Sequence, residues 1–194
     1  MFQLTRPLIL ASNSPRRKQL LQETGFEFEV KVLPTDESFP DNIPTHEVAG
    51  YISSQKAEVF RNLHPEKIIL TADTVVIIGE TILNKPKDIP DAVRMLKMLS
   101  GNTHEVTTAV SLLADDHVYT ISDTALVSFR TLEETEINYY IEHYKPFDKA
   151  GAYGVQEWIG MVGINRIEGS FYTIMGLPVH VVYQLLKPFL KTQS

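Results

Sequence analysis

The chain has 194 residues, 43% of them hydrophobic and 22% charged, with a formal net charge of −6 and no cysteine. This composition suits a globular domain with a sizeable apolar core. It excludes disulfides, thiolate metal sites and cysteine nucleophiles, and it lacks the general basic excess of a nucleic-acid binder.

No linker, repeat or low-complexity tract divides the chain. The expectation is one domain over 1–194, with a division into two lobes left open. The opening MFQLTRPLILAS has one early positive charge and an apolar run too short for a signal peptide. No stretch approaches the ~20 apolar residues of a membrane span. A cytoplasmic protein with no membrane or nucleic-acid partner is expected.

In chain order, residues 8–12 read as a short strand, with Ser14 as N-cap and Pro15 at the first helical position. A helix over 15–24 stops at Gly25. Phe26, Phe28, Val30 and Val32 alternate as in a half-buried strand. Residues 34–44 hold three prolines and several acids and read as a loop. A second helix spans about 45–63, with Val48, Ile52, Phe60 and Leu63 as its apolar stripe. IILTADTVVIIG, 68–79, is a buried strand. A turn through Pro86 and Pro90 leads to a helix over about 89–99.

Residues 103–114 and 117–129 read as strands joined at Asp115-Asp116. Thr131 and Glu134 fit a capping box for a helix reaching about His143. Residues 145–160 are loop-like with short ordered pieces. Residues 161–167 and 171–175 suggest a hairpin over 168–170, and Pro178 starts a last helix to about Leu190. Strands and helices intersperse without strict alternation, which indicates α/β: a mixed sheet with helices packed on it.

Four features break the structural pattern. Arg16 and Arg17 follow Ser12-Asn13-Ser14-Pro15 at a helix start, where the dipole repels cations and favours anions. Backbone N–H groups, serine hydroxyls and guanidinium forks can together donate to phosphate; a solvated turn is the plainer alternative. Asp73 interrupts an apolar strand, which is costly unless the carboxylate is paired, capped or metal-bound. Lys56 falls on an apolar helical stripe, where it either snorkels or reaches a cleft. Lys85 precedes Pro86 in extended backbone, as a turn residue or as a presented ammonium.

Asp36 and Glu37 are loop acids, either solvated or partners of Asp73 around Mg²⁺, a hard ion that takes oxygen ligands. Cations with two or three carboxylates suit a nucleoside polyphosphate. No Walker loop, GxGxxG, HExxH or GxSxG motif is present. Trp158 either stacks on a base or packs a loop, and Tyr139, Tyr140 and Tyr144 read as packing.

Taken in order, LASNSPRRKQLL (10–21), SSQKAE (53–58), TADTVV (71–76), NKP (84–86), LSGNTHEVTTAV (99–110), DKAGAYGVQ (148–156) and MGLP (175–178) resemble the Maf family of nucleoside triphosphate pyrophosphatases over nearly the whole length. The resemblance implies a fold like that of the inosine triphosphate pyrophosphatases, a mixed twisted sheet with flanking helices and a central active-site cleft, usually homodimeric. It implies Mg²⁺- or Mn²⁺-dependent cleavage between the α and β phosphates. On its motifs, Ser12, Ser14, Arg16 and Arg17 would bind the triphosphate and Lys56 and Lys85 would add phosphate contacts. Glu37 and Asp73 would hold metal, with Asp73 as general base. Asp36, beside the matched position, is a weaker candidate.

Thr74 and Gln156 resemble the signature of the dTTP/UTP branch, which is linked to disposal of modified pyrimidine triphosphates. A glutamine amide offers both donor and acceptor to the O4 and N3–H edge of uracil or thymine. Glu157-Trp158-Ile159-Gly160 departs from a glycine-rich run frequent in relatives. A nucleotide-binding regulator of cell division or septation with little turnover is the alternative the same resemblance carries.

Overall fold

The computed structural model describes residues 2–191. The chain forms β1 (Leu8–Leu10), α1 (Pro15–Glu23), β2 (Glu29–Val30), α2 (Val48–Glu58), β3 (Ile68–Ile78), β4 (Thr81–Leu83) and α3 (Ile89–Leu99). It continues with β5 (Thr103–Ala114), β6 (His117–Phe129), α4 (Glu134–Tyr144), α5 (Trp158–Gly163), β7 (Ile164–Glu168), α6 (Phe171–Ile174) and α7 (Val179–Leu186). The seven strands make one mixed sheet in the order β2-β1-β3-β5-β6-β7, with β4 added to β3. β1 runs parallel to β2 and β3, whereas β4 is antiparallel to β3 and β7 to β6. The mixed α/β class is the one expected. Among the described residues no helix is long and apolar enough to cross a membrane.

Two compact units divide the chain. The first comprises the residues up to Asp73, Thr108–Asp123 and the chain from Gly176 on. Here Leu8, Ile9 and Leu10 pair with Ile68, Ile69 and Leu70, all buried. Ile9, Ile69, Ala57, Phe60 and Leu113 form an apolar cluster against which α2 is seated. The second unit comprises Thr74–Thr107 and Thr124–Met175. Its core gathers Val76, Leu83, Leu96, Leu99, Phe129, Tyr140, Tyr153 and Ile159. The long strands match the sequence expectation closely: β3 is a sustained apolar run, and β5 and β6 are rich in β-branched and aromatic residues. Asp115 and Asp116, at φ 50° and 61°, supply the left-handed turn between β5 and β6.

Several expectations are corrected. The strand expected over 26–32 shrinks to Glu29–Val30, and Val30 and Val32 are 45% and 39% exposed. Alternation tells which side chains share a face; it does not guarantee that anything covers that face, and β2 is an edge strand. The second helix begins as a 3-10 turn at Thr45–Glu47 and ends at Glu58, well short of 63. Beyond it the bonds tighten to i→i−3, as in Phe60 N–H to Ala57 O, and Pro65 disfavours helix at His64. Leu63 consequently leaves the stripe and is exposed.

β4 was not expected; Gly79 at φ 59° turns β3 back into it. The capping box is Glu133 with Glu136 rather than Thr131 with Glu134. Leu132 is still outside the helix, its N–H donated to Ser100 Oγ at 2.7 Å. The hairpin over 161–175 is absent: its first arm is split between α5 and β7, and its second is helix α6. β7 takes β6 as partner, pairing Val127 with Ile167. The last helix also stops early, α7 ending at Leu186 before a 3-10 turn at Lys187–Phe189.

Candidate active site

The site grows from the end of β1. Ser14 is extended, with φ −68° and ψ 118°, and its Oγ accepts the Arg17 N–H at 3.5 Å as the N-cap of α1. Ser14 N–H donates to Ser12 Oγ at 3.2 Å, which folds the serine loop onto itself. Pro15 then places both arginines in the first turn.

Arg17 explains its own position. Its Nε donates to Gly176 O at 2.7 Å and its Nη1 to Ala72 O at 2.8 Å. Two charge-assisted bonds to carbonyls offset the repulsion of the helix dipole. Burial lowers the pKa of this guanidinium; the Asp73 carboxylate opposes that shift, and neighbouring Arg16 adds to it. Glu37 acts on the same group in the same sense as Asp73.

Asp73 lies on β3, one residue beyond the Ala72 carbonyl, and is 9% exposed. Its partner is Lys56 of α2: the Nζ is 2.8 Å from Asp73 Oδ1 and 2.8 Å from Glu37 Oε1. Lys56 therefore does not snorkel; it bridges two carboxylates and compensates the buried one. Asp36 is engaged otherwise, its two oxygens accepting the N–H and Oγ–H of Ser38, each at 2.9 Å. The first unit thus brings together Ser12, Ser14, Arg16, Arg17, Glu37, Lys56 and Asp73.

Thr74, Lys85 and Gln156 belong to the second unit. Thr74 is half-buried beside Asp73, while Lys85 and Gln156 are exposed. Lys85 follows Asn84, whose carbonyl accepts the Gly151 N–H at 3.2 Å. Trp158 packs edge-on against Tyr139, with ring centroids 4.9 Å apart. The sequence reading assigned no polar role to three buried side chains around the Gln156 segment, Lys149, Tyr140 and His104. Lys149 and Tyr140 both contact Glu157, and His104 Nε2 bonds Tyr153 OH at 2.8 Å. The available signal was a lone lysine entering a run of glycine and alanine at 149–154.

Asp73 and Glu37 offer hard oxygens that converge on one point, the Lys56 nitrogen. Among the described residues no group of three or more His, Asp or Glu has metal-site geometry. Two carboxylates alone fit Mg²⁺ or Mn²⁺ of the kind that completes its shell with water and substrate phosphate.

Known proteins share this chain's sequence over most of its length. A Porphyromonas gingivalis protein named dTTP/UTP pyrophosphatase is 47% identical over 186 residues, 94% of each chain. Proteins of the same name from Phocaeicola vulgatus and Bacteroides thetaiotaomicron are 47% and 46% identical over 182 residues, 93% of this chain and 94% of theirs. The family model described as Maf-like protein matches residues 7–189, and the chain belongs to that family.

Proposed function

We propose that this chain is a metal-dependent pyrophosphatase of dTTP and UTP, and of modified pyrimidine triphosphates, releasing the nucleoside monophosphate and pyrophosphate. The observation that carries it is Lys56 held between Asp73 and Glu37, within electrostatic reach of the arginine-anchored serine loop. The name shared by relatives at 46–47% identity supports the substrate class. It also disfavours the regulator reading, since those relatives are named for catalysis.

The hydroxyls of Ser12 and Ser14 and the guanidinium of Arg16 donate to phosphate oxygens. Arg17, fixed by two carbonyls, holds that loop in place and adds positive charge. Asp73 accepts the proton of the water that attacks Pα. The new O–Pα bond forms as the bond from Pα to the bridging oxygen breaks, and pyrophosphate carries away that oxygen. Lys56 and Lys85 stabilise the charge that develops. Asp73 and Glu37 would hold Mg²⁺ or Mn²⁺, which would supply phosphate neutralisation and a more acidic water. Gln156 and Thr74 read the pyrimidine; their roles and that of Lys85 are carried by their motif positions. The reading includes a cytoplasmic homodimer, for which size-exclusion chromatography with light scattering should give twice the chain mass.

The test is turnover of four NTPs, four dNTPs and modified pyrimidine triphosphates, with and without metal, and products separated by ion chromatography. Monophosphate and pyrophosphate in equal amounts are expected. Orthophosphate as the sole direct product would overturn the proposal.

A further inference from the structure

Gln156 occupies a corner. Glu157 N–H donates to Gly154 O at 3.0 Å, closing the four-residue turn Gly154-Val155-Gln156-Glu157. Both ends of that turn are held by one side chain of α4. Tyr140, fully buried, accepts the Gly154 N–H on its hydroxyl oxygen at 3.0 Å and donates its own proton to Glu157 Oε2. Glu157 Oε1 in turn lies 3.1 Å from the ammonium of Lys149, which is 8% exposed and also pairs with Asp148 at 2.7 Å.

The space inside the turn is full. A Cβ on Gly154 would lie 2.8 Å from Glu157 Cδ, so the glycine is what admits the carboxylate. A buried lysine paired with a half-buried glutamate is a weak choice for stability alone, because an apolar pair of similar volume does as well or better. Their merit is direction: each oxygen of Glu157 has a fixed partner, and so the turn has one conformation.

We propose that Tyr140, Glu157 and Lys149 are positioning residues that aim Gln156 at the pyrimidine, setting base preference without touching the nucleotide. The proposal rests on the reading that Gln156 meets the base. The sequence departure at Glu157 is then part of the selectivity device of this chain.

Tyr140→Phe keeps the ring in the core and removes only the hydroxyl that joins Gly154 to Glu157. Glu157→Gln keeps the shape and removes the charge facing Lys149. Both are compared with Gln156→Ala in kcat/KM for UTP, dTTP and GTP, with thermal unfolding measured alongside. The expected result is a pyrimidine-to-GTP ratio lowered on the order of tenfold in all three, as for one lost oriented hydrogen bond, through a raised KM for UTP and dTTP with kcat nearly kept. A purely structural role would lower Tm and scale all substrates alike. An unchanged ratio in Gln156→Ala overturns the reading of Gln156. A ratio shifted by Gln156→Ala but unmoved by Tyr140→Phe and Glu157→Gln overturns the positioning proposal alone.

Discussion

Lys56 commits one ammonium to two carboxylates, and its neighbours depend on that commitment. Asp73→Asn keeps the shape of the buried side chain and removes its negative charge. Turnover should fall by about 10³-fold or more while the far-UV circular dichroism stays that of the parent; wild-type turnover would reject the catalytic role. The two arginines should separate under conservative change. A lysine at 17 lacks the rigid fork whose Nε and Nη1 separately meet Gly176 O and Ala72 O, so Arg17→Lys should cost about 1–3 kcal/mol in urea unfolding. Arg16→Ala should mainly raise KM for the triphosphate, seen in initial rates. At this scale the sequence was legible where a residue broke a pattern: Asp73 in an apolar run, Lys56 on an apolar stripe, arginines at the wrong end of a helix. The division between Asp36 and Glu37 was not legible from pattern. Loop acids have no periodicity, and Ser38 decides the fate of Asp36.

Among the elements, β3, β5 and β6 could be read to within a residue or two, and the segment after α4 could not. Residues 161–175 contain apolar runs too short for period to separate strand from helix. Their states are set by tertiary partners, β6 in the case of β7. Just before this stretch, in α5, a Cβ at Gly160 would meet Val155 O at 2.0 Å. Backbone cannot yield as a side-chain tip does. Gly160→Ala should therefore cost more than the ordinary core substitution, about 2 kcal/mol or above, in a denaturant titration. A neutral result would mean that α5 can shift away from the 154–157 turn without penalty.

At the scale of the whole molecule, stability should depend on mild acid. His104 is buried against Phe129 and Tyr153, and its Nδ1 has no hydrogen-bond partner among the described residues. Desolvation pushes its pKa down from 6.5 to about 4. The unfolded chain therefore binds a proton that the folded chain refuses in that interval. The neutral ring's contribution is fully present above about pH 6.5 and is lost as pH falls towards 4, by up to about 3 kcal/mol. His104→Phe should flatten this part of the stability curve between pH 7 and pH 4.5, measured by urea unfolding. An equal slope in parent and variant would assign the acid sensitivity to other groups.

The lock on Arg17 also has a place in time. Its two carbonyl acceptors lie 55 and 159 residues further along the chain. The second unit ends at Met175, and the first is completed only from Gly176 on. On a translating ribosome the serine-arginine loop is made well before either of the two carbonyls that anchor it. A nascent chain can assemble the core of the second unit while its serine-arginine loop still lacks one of its two anchors. Chains that end before residue 176 should then show no pyrophosphatase activity, and chains extended through α7 should regain it. The order of synthesis thus separates the making of this loop from its anchoring.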